Sequence, residues 1–362
     1  MYYHDYLDLD RLLAAQNPLS DVEGRTHDEM LFIIVHQAYE LWFKQIIFEL
    51  DAAMRTFDRQ PIKEREMGAL VAHFDRIVAI QRVMLEQLEV IETLTPLDFL
   101  DFRGVLGTAS GFQSVQFRLV ENKMGLPRSR RPSTGDAPYT AWLNDEHRRA
   151  VEAAEQAKSL ADHVESWLER TPFLEMGEYD FWVEYQAAVD VMIAKERQTV
   201  ESEPGLDTDE RDRHLARVDA NRDAFEAIFN DERYEAAREE GDRLLSRRAF
   251  QAALLINLYR DEPILQLPFR LLTGLVNVDE GFTAWRQRHV LMVTRMIGHR
   301  TGTGGTTGAE YLEATARRSR VFTDLVEIPT FLIPRSELPP LPDAVVEAMR
   351  FRLEGPAADS VR

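Results

Sequence analysis

The chain has 362 residues, of which 44% are hydrophobic and 29% are charged, a composition typical of a folded globular protein. Its 62 acidic residues outnumber the 43 basic ones, and the net charge of −19 argues against nucleic acid or an anionic membrane as a partner. The sequence contains no cysteine, which excludes disulfides, thiolate nucleophiles, Cys-ligated zinc, iron–sulfur clusters and thiolate-ligated haem. A small ligand or another protein is therefore the expected partner.

Any redox metal in this chain must be bound by histidine or carboxylate. A di-iron carboxylate bundle would carry Glu-x-x-His motifs, and none of the nine histidines has a glutamate three positions before it. No apolar run is long enough to span a bilayer, and the N-terminal sequence MYYHDYLDLD lacks the features of a secretion signal. The sequence thus predicts a cytoplasmic protein.

The first 18 residues are predicted to form a short amphipathic helix with aromatic residues at its start. Tyr3 and Tyr6 lie one turn apart, and several leucines follow before the chain breaks at Asn17-Pro18. The two rings can pack on their own subunit or dock on a partner subunit, and the local sequence favours neither arrangement.

The stretch from Thr26 to Leu50 predicts a long helix at the centre of the fold. Thr26 and Glu29 have the spacing of a capping box, and apolar residues then cover most of the circumference, which is typical of a buried helix. His36 lies within this apolar run, and Phe32 projects from the same face one turn earlier. His36 is either a core residue bonded to a backbone carbonyl or a pocket residue that acts as metal ligand or proton acceptor.

Two further helices are predicted after this central one. The first covers about 61–93 and carries an apolar stripe. The second begins at Pro96, because Thr95 is a suitable N-cap and Asp98 places a negative charge at the positive helix end. Glycines then end this helix, and Ser110-Gly111 opens the next element.

Phe99 and Arg103 lie one turn apart on one face of the helix that begins at Pro96. The neighbours of Arg103 in the sequence are mostly apolar, an unusual setting for a guanidinium. Arg103 is therefore predicted to form either a structural pair with a carboxylate or a bidentate contact with a substrate carboxylate or a cofactor propionate.

The middle of the chain is predicted to be helical and strongly charged. Its helices cover about 140–170, 178–201 and 207–260, and its loops lie at 124–136 and 202–210. These helices have the composition of solvated faces and are assigned no chemistry. Strand signals are almost absent and no linker separates domains, so the sequence predicts one all-α domain over residues 19–355 and a disordered tail at 356–362.

The segment from Phe282 to Arg300 is predicted to be a helix in which His289 shares an apolar face with Trp285 and Met292. The loop from Gly302 to Gly308 follows this helix and lacks the ending of a phosphate-binding P-loop. The loop is either a mobile lid that meets a ligand or a plain connection.

Four segments of the chain resemble the tryptophan 2,3-dioxygenases: HDEMLFIIVHQAYELWFK, FRGVLGTASGFQS, WRQRHVLMVTRMIG and GTGGTTG. They occur in the same order as in that family, and the resemblance runs from about residue 3 to about residue 337. It implies an all-α helical-bundle domain that binds one non-covalent b-type haem per subunit, with a helical insertion and an N-terminal segment exchanged between subunits. It also implies a homotetramer, a dimer of dimers.

The resemblance also assigns roles to individual residues. His289 would be the axial ligand of the haem iron, and Ser110 would lie near a haem propionate. His36 would be the distal histidine that accepts or shares the indole N–H hydrogen bond. The other substrate-binding assignments are Phe32 and Phe99 beside the indole, Arg103 at the substrate carboxylate, Thr303 at its ammonium and carboxylate, and Tyr3 and Tyr6 from a neighbouring subunit.

The implied reaction inserts both atoms of O2 across the indole C2–C3 bond of L-tryptophan to give N-formyl-L-kynurenine, the first step of tryptophan catabolism by the kynurenine route. Two alternatives stay open. One is a haem-dependent mono-oxygenase or hydroxylase of an aromatic amino acid on the same fold, and the other is a haem sensor or helical scaffold without turnover. The number of oxygen atoms in the product separates these alternatives from the dioxygenase.

Overall fold

The structure is a computed structural model that describes residues 1–20, 27–59, 62–131, 138–298 and 308–350. It is helical apart from one two-stranded hairpin in the described ranges, which confirms the predicted all-α class. In chain order the elements are α1 (Tyr3–Tyr6), α2 (Leu9–Leu13), α3 (Asp28–Phe57), α4 (Glu64–Ile91), α5 (Pro96–Arg103), α6 (Val115–Met124), α7 (Asp145–Gln156), α8 (Leu160–Leu168), β1 (Glu175–Met176), β2 (Tyr179–Asp180), α9 (Phe181–Ser202), α10 (Thr208–Phe229), α11 (Asp231–Glu240), α12 (Arg247–Leu258), α13 (Gln266–Ile297), α14 (Gly308–Arg318), α15 (Thr323–Glu327) and α16 (Asp343–Met349).

The chain divides into two compact units. Unit 1 comprises Met1–Ile62, Ala72–Asp162 and Asn277–Val321, and unit 2 comprises Lys63–Val71, His163–Val276 and Phe322–Arg362. The predicted boundaries after residues 18 and 355 stay predictions. None of the described helices combines the length and the apolar character that a membrane crossing requires.

Helix α3 begins at Asp28, one residue later than a cap at Thr26 predicts, and Thr26 itself lies outside the described residues. The buried carboxylate of Glu29 accepts hydrogen bonds from the backbone N–H groups of Leu19 and Ser20, each at 2.9 Å. Burial alone would raise the pKa of Glu29, but a hydrogen bond from the Ser20 hydroxyl and these two backbone hydrogen bonds outweigh it and lower the pKa. Glu29 thus joins the N-terminal segment to the first turn of α3.

The prediction that α3 is buried around most of its circumference is wrong. Ile34, Leu41 and Phe48 are 49%, 52% and 63% exposed. Their spacing of seven residues places them on one outward-facing stripe, because seven residues make almost two helical turns. The opposite face is the buried one, and its side chains include Val35, Tyr39, Phe43, Ile46, Leu50 and Phe57.

The predicted start of α5 is confirmed in detail. Thr95 accepts a hydrogen bond from the Asp98 N–H, and the Asp98 carboxylate accepts one from the Thr95 N–H, which together form a capping box. Pro96 occupies the first turn, where it removes no hydrogen bond. The chain leaves the helix through Gly107, whose positive φ of 57° is readily adopted only by glycine.

Helix α13 is longer than predicted, since it begins at Gln266 rather than near Phe282. Gly281, the residue before the predicted start, lies inside the helix. A Cβ at this position would overlap the side chain of Gln81, whose amide donates a hydrogen bond to the Val278 carbonyl at 2.8 Å. Glycine therefore permits the close approach of α4 to α13 within unit 1.

Unit 2 is built around an aromatic core and one buried carboxylate. The rings of Phe181, Tyr185, Phe225, Phe229 and Phe331 pack in a continuous series. The carboxylate of Asp324 accepts the N–H groups of Leu244 and Leu245 and pairs with Arg243 at 3.4 Å. The charged helices of this unit thus carry structural contacts as well as solvated faces.

Candidate active site

Helices α3, α5 and α13 of unit 1 meet at an apolar cluster. Its buried members are Leu94, Phe102 and Met296, and the partly buried Phe32, Phe99, Leu106 and Ile297 pack against them. Burial of each large apolar side chain contributes about 1.5–3 kcal/mol, so the cluster is a stable meeting point of the three helices.

Phe32 lies at the centre of the aromatic part of this cluster. Its ring centroid is 5.9 Å from that of Phe99 and 5.5 Å from that of Phe102. Phe99 and Phe102 contact each other edge to face at 5.4 Å and 88°. Aromatic pairs favour these offset and edge-to-face geometries, and the three rings form a wall suited to a flat apolar ligand.

His36 lies one turn after Phe32, with ring centroids 4.1 Å apart. Its Nδ1 is 2.7 Å from the Phe32 carbonyl oxygen. A carbonyl can only accept a hydrogen bond, so Nδ1 carries the proton in the neutral ring. The lone pair is therefore on Nε2, which is left as a hydrogen-bond acceptor.

The protein favours the neutral form of His36. The His36 side chain is exposed in this chain, yet the surrounding protein lowers its pKa below the ordinary value of 6.5 by desolvation. The Phe32 carbonyl and the charge of Glu40 partly offset this effect. His36 thus keeps its acceptor at neutral pH.

Glu40 connects α3 to the segment that follows Ser110. Its carboxylate accepts hydrogen bonds from Ser114 Oγ at 2.6 Å and from the Gln116 amide at 3.0 Å. The Gln116 amide also donates to the Glu40 backbone carbonyl at 2.7 Å. Ser110 itself caps the 3-10 turn Gly111–Gln113 by accepting the Phe112 N–H, an interaction that does not use its hydroxyl proton.

His289 lies on α13, one turn after Trp285, and is partly buried. Burial, with a smaller effect from His36, lowers the pKa of His289 to about 4. The imidazole is therefore neutral across the physiological pH range. Because a metal binds only an unprotonated ring nitrogen, His289 is ready to act as a ligand.

Buried ion pairs hold this part of α13 against α6. Arg286, three residues before His289, donates to Glu121 at 2.9 Å, and Arg118 donates to the same carboxylate at 3.0 Å. Burial raises the pKa of Glu121, but the charges of Arg118, Arg286 and Arg131 outweigh it and lower the pKa. Glu121 thus stays ionised and keeps its arginine partners.

A cavity of about 130 Å³ lies between the start of α5 and the last turns of α13. Its lining includes Leu94 and Met296, which belong to the apolar cluster, together with Met292, one turn after His289. Space is therefore present beside the helix that carries His289.

Four of the predicted site residues, Tyr3, Tyr6, Arg103 and Thr303, are not among the residues of this cluster. Tyr3 and Tyr6 lie on α1 and are each 71% exposed. Thr303 lies outside the described residues. Arg103 is half-buried in the last turn of α5, one turn after Phe99.

Comparison with known proteins identifies the family. The family model described as tryptophan 2,3-dioxygenase matches residues 1–332. The chain belongs to the tryptophan 2,3-dioxygenase family. Its relatives named tryptophan 2,3-dioxygenase include a protein of Bdellovibrio bacteriovorus, 46% identical over 97% of this chain and 98% of its own length. Those of Dictyostelium discoideum and Xenopus laevis are each 43% identical, covering 97% and 94% of this chain and 88% and 84% of their own lengths.

In this member of the tryptophan 2,3-dioxygenase family, the structure brings Phe32, His36 and Phe99 together, and His289 lies on α13, the helix that contributes Met296 to the same cluster. Sequence reasoning missed Phe102 and Leu94 as parts of the cluster. The apolar spacing of LTPLDFLDF contains the signal for both, but only the packing of α5 shows which side is buried.

Proposed function

We propose that the protein is a haem-dependent enzyme that inserts both atoms of O2 across the indole C2–C3 bond of L-tryptophan and yields N-formyl-L-kynurenine. The observation that carries the proposal is the contact of His36 Nδ1 with the Phe32 carbonyl, which leaves Nε2 as an acceptor on a ring that lies 4.1 Å from that of Phe32, while the Phe99 ring lies 5.9 Å from that of Phe32. This pairing suits an indole, which has a flat apolar face and a single N–H donor. Membership of the family supports the same reaction.

The residues present fit a b-type haem. His289 offers a neutral imidazole for the iron, and the cavity of about 130 Å³ lies beside the helix that carries it. Ser110 retains a hydroxyl proton that can be donated to a propionate. When bound, the haem supplies the activation of O2.

The remaining roles are binding and orientation. Phe32 and Phe99 hold the indole face, and Nε2 of His36 accepts the indole N–H, which fixes the rotation of the ring. Arg103, one turn from Phe99, clamps the substrate carboxylate, and Thr303 meets the ammonium and carboxylate. Because every one of these contacts is made before reaction, their main contribution is proximity and orientation.

The direct test uses the haem-loaded, reduced protein with L-tryptophan and isotopically labelled O2, followed by mass spectrometry of the product. Two labelled oxygen atoms in N-formyl-L-kynurenine are expected. One labelled atom would mean a mono-oxygenase or hydroxylase, and haem binding without O2 consumption would mean a sensor. Either result would contradict the proposed reaction while leaving the fold unaffected.

The acid limb of the pH profile, in which kcat/KM falls as the pH is lowered, tests the role of His36 as hydrogen-bond acceptor. Since the pKa of His36 is lowered, the fall of kcat/KM on the acidic side should lie at lower pH than the titration of an ordinary histidine, because Nε2 accepts the indole N–H only while it is unprotonated. His36→Ala should retain haem, lower kcat/KM by about 10-fold to 100-fold as for one lost hydrogen bond, and remove this limb. Steady-state kinetics across the acidic range measure both effects.

Glu40→Gln provides the matched variant for this experiment. The charge of Glu40 raises the pKa of His36, so its removal should move the acid limb to lower pH. An acid limb that persists in His36→Ala would assign the titration to another group and contradict the role of His36.

We also propose that Tyr3 and Tyr6 reach the active site of a neighbouring subunit in a homotetramer arranged as a dimer of dimers. Their exposure on α1, together with the apolar stripe of Ile34, Leu41 and Phe48 on α3, supports self-association, because large apolar patches are rarely left in water. A cytoplasmic location stays a prediction from the sequence.

Deletion of residues 1–10 should strongly reduce activity without loss of helical structure, because no side chain of α1 is buried in its own chain. Circular dichroism and the oxygen assay measure the two effects. Co-expression of the deleted chain with His289→Ala, which keeps an intact N-terminus, should restore activity in mixed assemblies. If the co-expressed chains are no more active than the two variants prepared separately, Tyr3 and Tyr6 do not complete the site of a neighbouring subunit.

A further inference from the structure

The indole of Trp285 stacks on the imidazole of His289. The ring centroids are 5.4 Å apart and the planes differ by only 10°, an offset-parallel arrangement between residues one turn apart on α13. The χ2 torsion of histidine, which turns the imidazole ring, has a broad intrinsic distribution. A parallel neighbour on one face restricts it, because rotation of the imidazole would drive its edge into the indole.

Trp285 is in turn fixed by three rings around it. Tyr39 lies at 5.8 Å and 62°, Phe43 at 6.0 Å and 89°, and Phe117 at 5.3 Å and 45°. Tyr39 is buried and donates a hydrogen bond from its hydroxyl to the Met84 carbonyl at 2.7 Å. The indole plane therefore cannot turn without displacing side chains on α3 and α6.

Histidine ligands of metals are usually oriented by a hydrogen bond from the second ring nitrogen to a carboxylate or carbonyl. In the part of the chain that the structure describes, the contact that defines the plane of His289 is the Trp285 stack. Helix α3 carries His36 and also supplies Tyr39 and Phe43, whose rings contact Trp285. Helix α3 therefore carries one of the two histidines and contacts the residue that stacks on the other.

We propose that Trp285 is a positioning residue for the cofactor: its ring face sets the plane of the His289 imidazole about the bond to the haem iron. The inference rests on the proposed function and on His289 as axial ligand. Ring shape carries this role, so Trp285→Phe should preserve it, whereas Trp285→Leu and Trp285→Met should not, since they fill the space without a flat face.

The test compares these variants as haem-loaded proteins in their ferric cyanide forms. Hyperfine-shifted proton NMR of the haem methyl groups reports the orientation of the axial imidazole plane, which a merely structural role would leave unchanged. Trp285→Phe should retain the wild-type pattern, and Trp285→Leu or Trp285→Met should alter it. Transfer of haem to apomyoglobin should become about tenfold faster in Trp285→Leu and Trp285→Met than in the wild type.

Trp182→Phe is the matched control, because Trp182 packs on Tyr185 and Phe229 within unit 2. It should leave both the methyl pattern and the transfer rate unchanged. An unchanged pattern in Trp285→Leu and in Trp285→Met would overturn the role of Trp285. By contrast, a wild-type protein that does not bind haem would contradict the proposed function. A His289→Ala protein with the wild-type methyl pattern would contradict the assignment of His289 as axial ligand.

Discussion

Replacement of His289 by alanine should abolish haem retention. The wild-type imidazole is neutral because its pKa is lowered to about 4, and it lies on a helix fixed by the Arg286–Glu121 ion pair, so it is prepared to donate its lone pair to iron. Alanine has no donor to replace it. The protein purified after haem supplementation should therefore lack the haem absorption band that the wild type shows.

Two variants serve as controls for His289→Ala. His147→Ala changes an exposed histidine and should bind haem normally. His289→Gly should recover the axial-histidine spectrum when imidazole is added, because the small molecule can occupy the vacated space. Loss of the Trp285 stack costs about 1 kcal/mol, so circular dichroism should show a folded protein in each case. A His289→Ala protein that binds haem with an unaltered spectrum would exclude His289 as the ligand.

Local signals in the sequence predicted the parts of the fold that depend on near neighbours. The helix start at Thr95 and Pro96 and the opening of a new element at Ser110 are confirmed, because each depends on contacts between residues three positions apart or fewer. The relation of Phe32 to His36 followed from helical spacing alone. Such contacts are decided before any tertiary packing.

Features that depend on packing between distant segments could not be predicted from the pattern. The start of α13 was predicted near Phe282, whereas the helix continues through Gly281, where the approach of Gln81 leaves no room for a Cβ. The apolar circumference of α3 suggested complete burial, although Ile34, Leu41 and Phe48 face outward. The hydrophobicity of a side chain indicates that it favours contact with other apolar groups, but it does not show whether those groups belong to the same chain.

The candidate site shows the same division. The family resemblance assigned the residues of the site, and the structure adds the tautomer of His36 and the ring contacts of His289. Nε2 of His36 is an acceptor only because Nδ1 faces the Phe32 carbonyl, and this tautomer cannot be read from the sequence. Likewise, the stack of Trp285 on His289 requires both rings to be in defined rotamers.

Replacement of Arg103 by alanine should weaken L-tryptophan binding by about 2–4 kcal/mol, as for a charge-assisted pair removed from water. This corresponds to an increase in the dissociation constant of about 30-fold to 700-fold. The reason is positional: Arg103 is half-buried one turn from Phe99, and under the proposed function its guanidinium would meet the carboxylate of a substrate whose indole contacts Phe99. Titration of the haem spectrum with L-tryptophan in the absence of O2 measures the dissociation constant.

Comparison of L-tryptophan with tryptamine, which lacks the carboxylate, isolates the contact that Arg103 makes. If the guanidinium binds the carboxylate, Arg103→Ala should weaken binding of L-tryptophan and leave tryptamine almost unaffected, and the difference is the coupling energy of a double-mutant cycle. Arg103→Lys should give an intermediate loss, because lysine keeps the charge but cannot form the bidentate pair. Arg82→Ala, at an exposed position of α4, should change neither ligand's affinity. Equal losses for both ligands would show that Arg103 stabilises the site itself, and the carboxylate would then need another partner.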